Sequence, residues 1–187
     1  MSRLRVGLVV CLLVLGACGR PEGLTVAAPS DDPPTGQLAP DIPLPLDVSS
    51  YASAPCTLLR PDKPEAQQLG ETSSDGPTCT WHSKTPQQPQ MTVTVDLTSN
   101  GLEGLYRKRS RLPYFEPTDV AGYPAVRYDT VRSIPDQGQC TVSVGVSPTA
   151  SLTVTSKIAD SGTLNYPVPC PDAELFATAV VNSITKG

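Results

Sequence analysis

The stretch "MTVTVDL", residues 91–97, alternates apolar and polar side chains without a break. Met91, Val93, Val95 and Leu97 fall on one side and Thr92, Thr94 and Asp96 on the other, the period-two signature of a half-buried antiparallel strand. Working outward, "TCTWHS" (residues 78–83) reads as a short strand with Cys79 and Trp81 on the core side. "QCTVSVGVS" (139–147) aligns Cys140, Val142, Val144 and Val146, and "SLTVTSKI" (151–158) aligns Leu152 and Val154. The intervening Ser147–Ala150 has the composition of a hairpin turn. "AGYPAVRYD" (121–129) supplies a turn and a further strand with Val126 and Tyr128 on one face.

Helical spacing appears in three places. In "APCTLLRPDKPEAQQLG" (54–70), Pro61 and Pro64 limit any helix to one or two turns, and Gly70 is a natural stop. Asn100 followed by Glu103 suggests a capping box, opening a helix whose apolar stripe is Leu102, Leu105, Tyr106 and Leu112 and which ends before Pro113. Near the end, Pro171 suits a helix start, and Ala173, Phe176, Ala177, Val180 and Ile184 recur at helical spacing. The expected architecture is α+β: an antiparallel sheet of about five to six strands with two or three helices packed on it.

The chain opens with Arg3 and Arg5, followed by the apolar run Val6–Leu15. That run is about ten residues, roughly half of what a membrane-crossing helix needs. A basic start, a short apolar run and small residues before a break are the marks of an export signal. The break itself, Leu15-Gly16-Ala17-Cys18, resembles the lipobox of bacterial lipoproteins. That resemblance implies lipidation of the Cys18 thiol, cleavage before it, and a membrane anchor on the extracytoplasmic side. Residues 18–46 carry seven prolines among small and acidic residues, Pro21 to Pro45. They read as a disordered tether too poor in apolar area to offset its ordering entropy. The expected organisation is a leader at 1–17, the tether at 18–46 and one globular domain at 47–187.

The 187 residues hold 14 Lys+Arg and 18 Asp+Glu, a net charge of −4. Arg3 and Arg5 are the only charges in residues 1–17, so removing the leader takes the balance to −6. An acidic chain without a basic stripe is a poor nucleic-acid binder, and no nucleic-acid partner is expected. Beyond Cys18, the cysteines Cys56, Cys79, Cys140 and Cys170 form an even set in a chain with an export signal. Four cysteines permit three pairings, among which the sequence does not choose. The order of the elements favours Cys56 with Cys79 and Cys140 with Cys170, each pair tying a helical segment to a strand. With no CxxC spacing and only one histidine, His82, no metal site is expected.

Taken in order, "PCTLL", the "LG" that follows, "CTW", the Gly-Tyr-Pro-Ala-Val strand, "CTVSVGV" and "PCPDAELFATAVV" resemble the domain-of-unknown-function 3558 family, exported lipoproteins of actinobacteria. The resemblance covers about residues 47–185. It implies a fold and a location, while the family's biochemical role is unassigned.

Residue chemistry points away from catalysis. A hydrolytic nucleophile needs a base beside it, and His82 lies in no such signature. Glu71, Asp75, Asp96, Glu116, Asp119 and Asp129 are candidates for a carboxylate pair, but they fall in turns or on exposed strand positions, where solvation is the better reading. No glycine loop cradles a phosphate, and no cofactor is expected. The reading is a non-catalytic envelope lipoprotein that binds an envelope protein or ligand, the alternative being a small lipid or glycolipid carrier with an apolar pocket between sheet and helix. The expected partner contact is the "YRKRSRLPYFEP" segment through Arg107, Arg109, Arg111 and Tyr114, since arginine and aromatic side chains dominate binding hot spots. The competing reading puts Tyr106 and Phe115 in the core.

Overall fold

The structure is a computed structural model that describes residues 36–132 and 137–186. The leader, Cys18 and residues 18–35 of the tether lie outside the described residues. Seven strands form one antiparallel sheet: β1 (Thr72–Asp75), β2 (Thr78–Trp81), β3 (Gln90–Asp96), β4 (Tyr114–Val120), β5 (Tyr123–Asp129), β6 (Gln139–Gly145) and β7 (Ser151–Lys157). Their order across the sheet is β1-β2-β3-β7-β6-β5-β4. Two antiparallel meanders, β1–β3 and β4–β7, are thus joined edge to edge through β3 and β7. The helices are α1 (Pro64–Gln68), α2 (Gly101–Lys108) and α3 (Cys170–Thr185). α2 lies in the connection that carries the chain from β3, at the centre, to β4, at the far edge.

The alternation seen in the sequence builds the core directly. The register lines up Cys79, Val93, Val154 and Val142 in one row across four strands. All four are 2 % exposed or less. α3 lies on this row, burying Ala173, Phe176, Ala177, Val180 and Val181 against it. At the β2 end Trp81 meets Phe176 edge to face, ring centroids 5.3 Å apart. Leu58 and Leu59, in and after a single 3-10 turn at Pro55–Leu58, close the same core. The two disulfides are Cys56–Cys79 and Cys140–Cys170, as the order of elements favours. The first fastens the 3-10 turn to β2, and the second fastens the start of α3 to β6.

The sheet has seven strands rather than five or six, because two strands carry no clean period. β1 is Thr-Ser-Ser-Asp with every residue exposed, so no apolar side chain marks a face. β4 contains Pro117 and survives because it is an edge strand, where one side of the backbone needs no ladder partner. Leu97, expected on the core face, is 41 % exposed, since β3 stops at Asp96. Asp96 ends the strand by accepting the backbone N–H groups of Thr98 and Ser99, at 2.8 and 3.0 Å. The second helix is shorter than expected: α2 stops at Lys108, and Arg109–Arg111 tighten into a 3-10 turn before Pro113.

The folded unit also starts earlier than Asp47. Residues 36–46 form a strap over the outer face of the sheet beside α2. Leu46 N–H donates to the Val146 carbonyl at 2.7 Å, and Ala39 is buried with Leu102, Tyr106 and Val126. Gly145 makes room for this: a Cβ there would lie 2.8 Å from Ile42 Cδ1 and 2.9 Å from Leu102. The strap is held by Glu103, whose Oε2 accepts the N–H groups of Leu38 and Ala39, both at 2.9 Å. Arg107 pairs with the other oxygen at 2.8 Å and donates to the Gly36 carbonyl at 3.3 Å. The expected Asn100–Glu103 capping box is therefore not formed. Asn100 sits in the left-handed region at φ 58° without a side-chain cap, and Glu103 serves the strap instead.

This clamp predicts an acid-sensitive strap. Burial alone would raise the Glu103 carboxyl, but the Ala39 and Leu38 N–H groups and Arg107 outweigh it and hold it below the usual carboxylate range. A lowered native pKa contributes stability above the unfolded value of about 4.3, and that contribution is lost as pH falls through the native value. Protection of the Leu38, Ala39 and Leu46 amides, taken relative to their intrinsic exchange rates at each pH, should therefore be high at neutral pH and fall below about pH 4. Glu103→Ala should reproduce the acid behaviour at neutral pH, with a loss of about 2–3 kcal/mol for two hydrogen bonds to a charged acceptor. Equal exchange in the variant and the parent chain would refute the clamp.

Candidate functional site

The structure separates the side chains expected to form a partner contact. Arg107 is engaged in the strap clamp, while Arg109 and Arg111 are exposed in the 3-10 turn. Tyr114 begins β4, and alternation along that strand sends Tyr114 and Phe115 to opposite faces. Phe115 packs against Tyr106 edge to face, centroids 5.0 Å apart. The Tyr114 hydroxyl donates to Glu116, which also pairs with Arg127 at 3.2 Å. Arg127 pairs in turn with Glu174 of α3 at 2.7 Å. Burial, helped by the Glu116 carboxylate, pushes the Tyr114 hydroxyl up to about 12, so it remains a donor throughout the physiological range. The hydrogen bond from Tyr114 and the Arg127 charge hold Glu116 below its ordinary range.

Most of the carboxylates considered for catalysis also have partners. Asp96 takes the turn after β3, Asp119 accepts Gly122 N–H at 2.9 Å, and Asp129 accepts Val131 and Arg132 N–H and the Arg132 side chain. A nucleophile–base pair does occur: Ser73 Oγ lies 2.9 Å from His82 Nε2. Both side chains are exposed at the β1 edge, and no described residue orients the other ring nitrogen. Among the described residues no group of three or more His, Cys, Asp or Glu side chains is placed to hold a metal ion.

The distinctive surface is the sheet face opposite α3. Where the core rows are valine, the outward rows are hydroxyl-bearing. Thr78, Thr94, Thr153 and Ser143 form one row across β2, β3, β7 and β6, and Thr80, Thr92, Thr155 and Thr141 form the next. Neighbours in these rows hydrogen-bond pairwise: Thr78–Thr94 at 2.9 Å, Thr80–Thr92 at 3.3 Å, Thr141–Thr155 at 3.2 Å and Ser143–Thr153 at 3.1 Å. A hydroxyl has one hydrogen and two lone pairs, so the partly exposed pairs Thr78–Thr94, Thr80–Thr92 and Thr141–Thr155 each keep one free donor and spare acceptor capacity, whereas Ser143 is fully buried and Thr153 also bonds Tyr128. Ser73 lies in register with Thr80, and with His82 it extends the face to the β1 edge.

α2 walls this face on the β6 side. Between helix and sheet lies a cleft of about 260 Å³, lined by Leu105, Lys108, Tyr128, Ser143 and Thr153 among others. It shares Asp96, Tyr128 and Thr153 with a neighbouring depression of about 510 Å³ over Thr94 and Leu97. Burial raises the Tyr128 hydroxyl, and Asp96 and Asp129 add to the rise against a hydrogen bond with Thr153. Tyr128 thus stays protonated beside the threonines. A signal for this face was present in the sequence, as Thr-x-Thr or Thr-x-Ser at 78–80, 92–94, 141–143 and 153–155.

Residues 13–183 match the family described as protein of unknown function, DUF3558. The chain belongs to that family. The match takes in both disulfides, all seven strands and the hydroxyl face, and it begins upstream of Cys18. No curated protein matches the chain. The DUF3558 fold seen here is thus a seven-stranded antiparallel sheet with one face sealed by α3 and the other largely hydroxyl-bearing.

Proposed function

We propose that this chain is a non-catalytic binding module, anchored to the outer face of the cell membrane through a lipidated Cys18, which presents its hydroxyl face to a polyhydroxylated envelope ligand. The observation that carries the reading is the set of registered hydroxyl pairs, of which Thr78–Thr94, Thr80–Thr92 and Thr141–Thr155 stay partly exposed, on a sheet face that α2 and the strap cover on the β5–β6 side. A glycan meets such a surface with groups that both donate and accept, and the threonine methyls suit the apolar faces of sugar rings. A lipid chain would strip water from the free donor of each exposed pair, at about 1–3 kcal/mol for each orphaned group. The carrier alternative asks for an apolar cavity between sheet and helix. The cleft beneath α2 mixes Leu105, Leu112 and Tyr128 with Ser143, Thr153, Asp96 and Lys108, which is not the wholly apolar lining a lipid chain calls for and favours the binding module.

Two arms of one experiment test this. Replacing Cys18 by serine should release the protein from the membrane fraction and abolish incorporation of labelled palmitate. In the anchored parent, the triple variant Thr80→Val, Thr92→Val and Thr155→Val keeps side-chain shape and strand preference while deleting hydroxyls. It should lower retention on isolated cell-wall glycan at least about tenfold, which is about 1.4 kcal/mol, with the melting temperature nearly unchanged. Membrane retention that survives Cys18→Ser, or glycan binding that ignores the triple variant, would overturn the corresponding half of the proposal.

A further inference from the structure

On the α3 side of the sheet, away from the hydroxyl face, α1, α3 and the loop before β3 enclose a groove of about 250 Å³. Its floor is apolar: Leu69, Met91 and Phe176 are all at most 8 % exposed. That volume falls below the roughly 300–1,000 Å³ of small-molecule sites. It suits one or two protein side chains rather than a free ligand.

Two further features mark the groove as a contact. Leu175 of α3 is a large apolar side chain left 65 % exposed. Leu175 stands on the rim of the groove itself. Exposed apolar groups beside an apolar depression are the usual mark of an interaction site. The rim is also acidic. Glu65 and Asp172 both border the groove; among the described residues Asp172 is met only by the neutral Asn165 amide, at 3.2 and 3.3 Å, and Glu65 has no ion-pair partner. Lys84, which reaches α1, is turned to the Gln67 carbonyl.

We infer that this groove docks a protein segment carrying a bulky apolar side chain flanked by lysine or arginine. The apolar side chain covers Met91 and Phe176 and packs on Leu175, and the cations meet Glu65 and Asp172. A second copy of this acidic chain is the poorer occupant, because its net charge of −4 opposes docking against an acidic rim. The inference stands apart from the hydroxyl face and adds to it: with ligands on opposite faces of one sheet, the domain bridges an envelope glycan and a cationic protein segment.

The test uses the folded full-length chain and fluorescein-labelled short peptides in which a central leucine or phenylalanine is flanked by lysines and arginines. Twins carry glutamates in place of the cations, or serine in place of the apolar residue. Fluorescence polarisation should show binding of the cationic apolar peptides alone, weakening as salt rises. Leu175→Lys should reduce affinity at least about tenfold, and Glu65→Gln with Asp172→Asn should remove most of the salt dependence. The threonine-to-valine variants should leave peptide binding untouched, which separates failure here from failure of the glycan reading. Binding of no peptide, equal binding of the acidic twins, or binding that survives Leu175→Lys in a chain of unchanged melting temperature would overturn the inference. So would a concentration-dependent dimer abolished by Leu175→Lys, which would assign the groove to a second copy.

Discussion

Replacing Trp81 by alanine is expected to destabilise the domain by about 4–5 kcal/mol, the largest single-residue effect anticipated for this fold. Trp81 is 2 % exposed, on the core face of β2 and edge to face with Phe176 of α3. Truncating a buried aromatic costs about 3–5 kcal/mol, because the lost transfer energy is compounded by a cavity that a rigid sheet cannot close. The edge-to-face pair adds about 0.5–1.5 kcal/mol. For a domain of this size the melting temperature should fall by roughly 10–15 °C. Trp81→Phe should lose less than half as much, since the ring that faces Phe176 is retained. Trp81 is the chain's single tryptophan, so unfolding is best followed by far-ultraviolet circular dichroism in urea. A loss below about 2 kcal/mol would mean that β2 and α3 do not share a close-packed interior.

Removing the Cys140–Cys170 bond should have the next largest effect. The partners are 30 residues apart, and closing such a loop in the unfolded chain is worth about 3.7 kcal/mol in the chain-entropy model. Alanine is the appropriate replacement at both positions, because Cys140 and Cys170 are 2 % and 7 % exposed and serine hydroxyls there would need partners. The bond encloses β7 and the 159–169 segment and holds the first turn of α3 against β6. Loss should appear first as faster amide exchange in that turn. Cys56–Cys79, separated by 23 residues, is worth about 3.5 kcal/mol on the same basis. Together the two bonds approach the whole stability of an ordinary domain of about 5–15 kcal/mol. Reductant without denaturant should therefore lower the melting temperature steeply, and a reduced chain as stable as the oxidised one would contradict this.

Much of the sheet could be read from the sequence because its core strands repeat one pattern. β2, β3, β6 and β7 put mostly large apolar side chains or cysteine on one side, Ser156 of β7 being buried among them, and mostly threonine or serine on the other. α3 announced itself through Pro171 and a helical spacing of Ala173, Phe176, Ala177 and Val180, and the placement of cysteines relative to elements favoured the pairing found. β1 and β4 were harder to read. One is polar throughout and the other carries a proline, and both are edges whose existence depends on the neighbour that hydrogen-bonds them. The strap was missed for a related reason. Residues 36–46 carry Leu38, Ile42, Leu44 and Leu46 between prolines, with neither a strand nor a helix period, and their order comes from Ile42 and Leu46 packing on the core, from Glu103, 64 and 65 residues away in sequence, and from the gap left by Gly145.

The same distinction governs the candidate sites. Alternation told which threonines turn away from the core, because a strand's period is a local property of the backbone. It could not tell that Thr78, Thr94, Thr153 and Ser143 stand in one row, since that depends on the strand order and on β3 taking β7, not β4, as its second neighbour. Nor could it show that Arg107 and Tyr114, close in sequence, are drawn into separate networks by Glu103 and Glu116. By itself the sequence determined the strand and helix periods, the small-residue boundary before Cys18 and an even set of cysteines to staple the domain. Only the tertiary structure decided which face stays open, which charges find partners and where an apolar groove gathers from α1, β3 and α3. Those outcomes depend on contacts between residues far apart along the chain, which no local pattern encodes.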